Sequence, residues 1–134
     1  LRSGLVLDSS ALLAIVFGEP EQNVFLDLIF DREERRISAF SVFEAGSVIL
    51  SRKGPAGRLI FDSLCEELDL EVVPFTAEHT RLARQAWERF GKGRHPAALN
   101  LGDCCSYALA RATGDPLLYK GNDFPQTDLD LIRI

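Results

Sequence analysis

The chain has 134 residues, 46% of them hydrophobic and 26% charged, which fits one globular domain over residues 1–134 with a core large enough to need no disulfide or structural zinc. Lys and Arg total 15 against 20 Asp and Glu, a net charge of -5 that argues against a protein coating duplex nucleic acid through a basic face. The same balance suits a site built from carboxylates, where bound cations reverse the local field. No apolar run approaches the roughly 20 residues of a membrane span, and Leu5–Leu7 is too short for a signal-peptide core. Cys65, Cys104 and Cys105 lack zinc-ligand spacing and read as reduced, mostly buried thiols of a cytoplasmic protein. The chain has no methionine, and its first three residues are assigned no role.

In chain order, Gly4–Leu7 reads as a buried first strand ending at Asp8. Ser9–Phe17 follows as a helix closed by Gly18, and Pro20 fits the first turn of a second helix carrying Val24, Phe25, Leu28 and Ile29. Asp31–Arg36 reads as a charged connector and Ile37–Phe40 as the second strand. A helix over Ser41–Arg52 is expected to stop at Gly54-Pro55, and Ile60, Leu64 and Leu68 place an apolar stripe on the next. Leu70–Phe75 is the expected third strand, and Thr76 caps a helix whose face carries Leu82, Ala83, Ala86, Trp87 and Phe90. Gly91–Pro96 reads as a mobile basic loop, and a helix runs from about Gly102 to Thr113, with Gly114 as its stop. Leu117–Tyr119 and Leu129–Ile134 complete the set as a fourth and a last strand. Strands alternating with helices, without hairpin signals, indicate an α/β fold with a mostly parallel sheet of about five strands between helical layers.

Ligands of open α/β sheets bind beyond the carboxyl ends of the strands. Acids cluster in the segments that follow them: Asp8 after the first, Glu44 in the helix after the second, Asp103 at the start of a later helix, and Asp123, then Asp128, after the fourth. Gathered carboxylates repel unless protonated or neutralised, and an all-oxygen set suits hard cations such as magnesium or manganese. Two such ions can clamp an in-line displacement at phosphorus. Each acid also has a structural reading. Asp8 can cap the first helix, Glu44 can close a capping box with Ser41, Asp103 suits a helix N-terminus, and Asp123 suits a Gly-Asn-Asp turn. Asp128 reads as a supporting residue rather than a direct ligand.

Four segments resemble the PIN-domain ribonucleases, and among them the VapC-type toxins: Val6-Leu-Asp8-Ser-Ser10-Ala, Ser41-Val-Phe-Glu44, Leu99-Asn-Leu-Gly102-Asp103 through Ala110, and Lys120-Gly-Asn-Asp123-Phe124 with Thr127-Asp128. The third is the most specific, and together they span nearly the whole chain. The resemblance implies an α/β/α sandwich with a central parallel sheet, and Mg2+ held by Asp8, Glu44, Asp103 and Asp123, with Mn2+ as a substitute. It implies endonucleolytic cleavage of RNA, a small VapB-type antitoxin covering the site, and a homodimer.

Around these acids, Ser10, Asn100 and Asn122 are expected to support the site through hydrogen bonds, each with a loop or cap role as its plain alternative. Lys92, Arg94 and His95 are candidates to grip RNA phosphates, against the simpler reading of a solvated basic loop. His79 is expected on a helix surface, and Trp87 and Phe90 in core or dimer contacts. Two rival functions stay open. One is a phosphatase using Asp8 as a nucleophile, disfavoured because Ser10 stands where a second acid is usually needed. The other is a non-catalytic RNA-binding or interaction module on the same scaffold.

Overall fold

The computed structural model describes residues 2–132, with side chains from residue 4 onward. Strand β1 (Arg2–Leu7) leads directly into helix α1 (Ser9–Val16), followed by α2 (Gln22–Phe30), β2 (Arg32–Ser38) and the long α3 (Ala39–Glu67). Then come β3 (Glu71–Val73), α4 (Ala77–Phe90), α5 (Leu101–Thr113), β4 (Leu117–Leu118) and a 3-10 turn at Phe124–Gln126. The four strands form one parallel sheet in the order β3-β2-β1-β4. The chain therefore steps outward from β1 in one direction to β2 and β3, and in the other to β4. That reversal opens a crevice at the carboxyl ends of β1 and β4, where a parallel sheet binds its ligands.

Leu5, Val6 and Leu7 are fully buried because helices cover both faces of the central strand. On one face Leu5 and Leu7 join Leu12, Phe25, Ile29, Ile49 and Phe61; on the other Val6 joins Leu99, Tyr107, Leu109 and Phe124. The two apolar clusters fix α1, α2 and α3 on one side of the sheet and α4 and α5 on the other.

Several segments depart from the sequence reading. Asp31–Arg36 is no connector: β2 starts at Arg32 and ends at Ser38, while Ala39 and Phe40 already belong to α3. This strand tolerates charge because its guanidinium groups have partners. Arg32 donates to the Gly4 carbonyl, Arg35 to the carbonyls of Phe30, Arg32 and Leu68, and Arg36 to Glu34, Glu71 and Asp115. Gly54-Pro55 does interrupt the helix as expected, with Gly54 at a non-helical φ 67 and ψ -162, and a second helical stretch of α3 continues directly across the kink. Beyond that kink the inward face is Gly57, Phe61 and Leu68, with Leu64 partly buried, whereas Ile60 is 56% exposed. Pro20 precedes α2, which begins at Gln22.

Among the described residues the sheet has four strands, not five. The expected last strand is reduced to one parallel bridge from Leu131 to Leu117, and residues 133–134 of that expectation lie outside the described residues. His79 is buried rather than on the surface, its ring edge-on to Phe75 at 6.3 Å. Thr76 and Gly114 bound α4 and α5 as expected, Gly114 with φ 74, and Asn100 takes the alternative cap role, starting α5 at Leu101. The loop after α4 is tied down at its backbone: Lys92 N–H donates to the Leu99 carbonyl, and the Arg94 and His95 N–H groups to that of Gly91.

Candidate active site

A cavity of about 230 Å3 lies in the crevice between β1 and β4. Asp8, Glu44, Asp103 and Asp123 all line it, together with Ser9, Ser10, Asn100 and Lys120. Four acids far apart in sequence thus meet on one surface because β1, α3, α5 and the turn after β4 all present an end there.

Asp8 is 3% exposed, and both of its oxygens are occupied on the protein side. Oδ2 accepts from the Ser10 N–H at 3.0 Å, which caps α1, and Oδ1 accepts from Ser106 Oγ at 2.6 Å. A carboxylate offers about four lone-pair directions, so capping and cavity-lining do not compete. Asp103 likewise serves twice. Its Oδ2 accepts from the Asn100 N–H at 3.0 Å and the Asn100 Oδ1 accepts from the Asp103 N–H at 2.8 Å, a reciprocal capping box that starts α5. The sequence placed such a box at Ser41 and Glu44 as an alternative. It does not form there, because α3 starts at Ala39 with Ser38 as its cap. Glu44 is thereby free to turn toward the cavity, where its Oε1 accepts from Ser9 Oγ at 2.8 Å.

Charge crowding registers at two of these acids. Burial, followed by the neighbouring charges of Asp8 and Asp123, pushes the Asp103 carboxyl up to about 7, against the lowering effect of the Asn100 N–H. Burial and the Asp8 charge also raise Glu44, opposed by the Ser9 hydroxyl. Gly102 is part of the same arrangement, though from sequence it marks only a helix start. A Cβ at that position would collide with Glu44 Oε2, so only glycine lets this carboxylate rest on the first turn of α5. The positive end of the α5 macrodipole faces both Glu44 and Asp103 there.

Ser10 Oγ accepts from the Lys120 N–H at 2.9 Å and so joins α1 to the turn carrying Asp123. Lys120, which has no role of its own in the sequence reading, places its ammonium at 3.1 Å from both Glu19 and Glu21 at the cavity rim. Asn122 is exposed and does not line the cavity. Asp128 lies away from it as well. Its carboxylate accepts from Tyr107 Oη at 2.7 Å and pairs with Arg89 at 3.1 Å, which ties the C-terminal segment to α4 and α5. Lys92 and Arg94 are exposed and His95 is half-buried, its Nδ1 accepting from the Ala97 N–H; none of the three lines the acidic cavity. A larger cavity of about 560 Å3, between α4 and the start of α5, is walled mainly by apolar groups such as Phe75, Trp87 and Leu101. Its only acid is Glu88, whereas the four clustered acids line the smaller, polar one, which is the candidate site.

The donor set is all oxygen, carries excess negative charge and fits a hard divalent cation. Among the described residues no three His, Cys, Asp or Glu side chains converge on one ligating point, so the acids stand around the cavity rather than closed upon its centre.

The sequence of the PIN domain family matches over residues 5–129. The chain belongs to the PIN-domain family. Within that family it is 45% identical to the ribonuclease VapC36 of Mycobacterium tuberculosis, over 94% of this chain and 91% of the relative. It is 42% identical to a ribonuclease VapC of Mycolicibacterium smegmatis, over 96% of this chain and all of the relative. These matches place this PIN chain with the VapC-type toxins. The fold agrees with that of the crystal structure of VapC20 from Mycobacterium tuberculosis, described as a sarcin-ricin loop cleaving toxin, at a TM-score of 0.78 and 16% identity over 97% of this chain and 99% of that one. VapBC2 of Rickettsia felis, solved with a DNA fragment from its promoter, follows at a TM-score of 0.74 and 18% identity over 96% and 97% of the two chains.

Proposed function

We propose that this PIN chain is a metal-dependent endoribonuclease acting by two-metal hydrolysis, the toxin of a toxin–antitoxin pair. One observation carries the reading: Asp8, Glu44, Asp103 and Asp123 converge on one polar cavity at the sheet's topological reversal. The ribonuclease names of relatives up to 45% identical support the choice of RNA as substrate. The four acids are the side chains that would hold Mg2+ or Mn2+, and a cation bound there supplies an activated water and neutralises charge on the scissile phosphate.

The chain's own residues set the stage for that chemistry. Asp8, fixed by two donors, and Asp103, fixed by its capping box, cannot swing out of the cavity without losing those bonds. Ser9 steers Glu44, and Ser10 has its hydroxyl proton left to meet a water or substrate oxygen. Asn100 supports through Asp103. Lys92 and Arg94, exposed on the tied loop before α5, are proposed to hold RNA phosphates outside the cavity, with His95 ordering the loop rather than gripping RNA. A small antitoxin of the VapB type is the proposed partner over the cavity, supported by neighbours solved as toxin–antitoxin assemblies from Rickettsia felis and Klebsiella pneumoniae. A homodimer acting in the cytoplasm as single-domain subunits completes the proposal. Among the described residues no helix is long and apolar enough to cross a membrane.

The alternative, a non-catalytic RNA-binding module, draws its support from the open spacing of the acids. Incubating total bacterial RNA with partner-free protein in Mg2+, Mn2+ or EDTA, beside Asp8→Asn, separates the two. Discrete fragments that need the cation and vanish in Asp8→Asn are expected. Binding without cleavage under every condition would leave the module.

A further inference from the structure

Two serines lie beneath the cavity floor, and neither belongs to the acidic set. Ser41 and Ser106 are both fully buried, with their hydroxyl oxygens 3.2 Å apart. Ser106 Oγ is also 2.6 Å from Asp8 Oδ1. A serine has one hydroxyl proton, and an ionised carboxylate can only accept. The Ser106 proton therefore goes to Asp8, which leaves Ser106 as acceptor and makes Ser41 the donor between them. The chain of bonds has one direction, Ser41 to Ser106 to Asp8.

Its anchor points matter as much as its direction. Ser41 stands one turn before Glu44 on α3, and Ser106 one turn after Asp103 on α5. In a helix, residues three apart share a face. The relay thus links the two helices that carry Glu44 and Asp103 to the carboxylate at the end of β1. A hydroxyl is a costly group to bury without partners, yet both are buried here and both are satisfied.

We infer that Ser41 and Ser106 form a buried hydroxyl relay that positions Asp8 for a divalent cation, setting the affinity of the site without touching the metal or the RNA. The inference rests on the metal-dependent reading above. With Ser106 donating to Oδ1 and the Ser10 N–H to Oδ2, the plane of the Asp8 carboxylate is fixed and its remaining lone pairs are left for the cavity. Outer partners of this kind commonly change metal affinity by roughly 10–100-fold when removed.

The test is Mn2+ binding to the purified protein, followed by the loss of the free-ion signal in electron paramagnetic resonance, with a thermal melt of every variant. Wild type, Asp8→Asn, Ser106→Ala and Ser41→Ala are compared. Ser106→Ala should melt cooperatively and bind Mn2+ about tenfold more weakly. Ser41→Ala, one bond further from the carboxylate, should show a smaller loss of about threefold. Folded Ser106→Ala with unchanged or tighter Mn2+ binding would overturn the relay while leaving the metal site standing. Should Ser106→Ala fail to fold, Ser41→Ala decides: weakened binding supports the relay and wild-type binding overturns it. A wild type that binds no more Mn2+ than Asp8→Asn would remove the metal reading itself, and the relay with it.

Discussion

Asp103 stores a conflict that the folded chain resolves only in the presence of a proton or a cation. Its carboxyl is pushed up to about 7 from an ordinary value near 3.8, mainly by burial and then by the charges of Asp8 and Asp123. Below the unfolded value both states hold the proton, and the folded state carries no penalty. Between about 4 and 7 the unfolded chain releases the proton first, so stability from this group falls as pH rises, and the loss is complete above the folded value. Asp103→Asn removes that slope and keeps an acceptor for the Asn100 N–H. In EDTA at pH 8 the variant should be more stable than wild type by about 2 kcal/mol, less than the roughly 4 kcal/mol of the full shift because the site is partly solvated. Melts at pH 5 and pH 8 check this, and equal slopes in the two proteins would count against it. Gly102 makes a second, opposite case. Alanine there would drive a Cβ into the Glu44 carboxylate, the movable end of a flexible side chain. Gly102→Ala should therefore melt within about 1 kcal/mol of wild type, yet lose cleavage about 100-fold through displacement of Glu44. All four acids could be named from the sequence, Asp8, Glu44 and Asp123 by their places after strands and Asp103 by its place at a helix start. What the sequence could not reveal is that capping and site roles coincide at Asp8 and Asp103. Nor could it show that a buried Ser106 backs Asp8 from beneath the cavity, since nothing in local spacing connects Asp8 to a serine 98 positions away.

The elements that were legible are those with a strong local pattern. The run Gly4–Leu7, the Thr76 cap and the helix expected from about Gly102 to Thr113 all appear where hydrophobic period and capping chemistry put them. Misreadings arose where long-range partners override local polarity. The charged β2 exists because distant carbonyls and carboxylates satisfy its arginines, and the last segment contributes one bridge, with Asp130 and Ile132 bonding to the backbone of Leu117 alone among the described residues. Gly54 breaks the helix where its sequence predicts a stop, and the second helical stretch resumes at once across the kink. At φ 67 and ψ -162 it occupies a region almost closed to residues with a Cβ. A Cβ at this point would meet nothing within 4 Å, so the cost of Gly54→Ala is purely conformational. Denaturant unfolding should show a loss of about 1–3 kcal/mol, and a stability equal to wild type would mean that the α3 bend relaxes without strain.

At the scale of the molecule, a net charge of -5 is less telling than where the acids gather. Surface acids such as Glu71, Glu78 and Asp128 are paired with arginines, whereas the cavity acids face one another. Lys120, the nearest ammonium, is held by Glu19 and Glu21 at the rim. The folded state thus has a concentrated negative site that the unfolded chain disperses. A divalent cation that binds only the folded form must stabilise it by mass action, by about 2.7 kcal/mol at one hundred times its Kd. Wild-type protein at pH 8 should then melt several degrees higher in millimolar Mg2+ than in EDTA. Sodium chloride at matched ionic strength should not reproduce the gain, because screening acts on all charges and does not fill the cavity. In Asp8→Asn most of the Mg2+ effect should disappear, while the response to sodium chloride stays as in wild type. An equal rise in both proteins would place the cation elsewhere on the surface and separate the acidic cavity from metal binding.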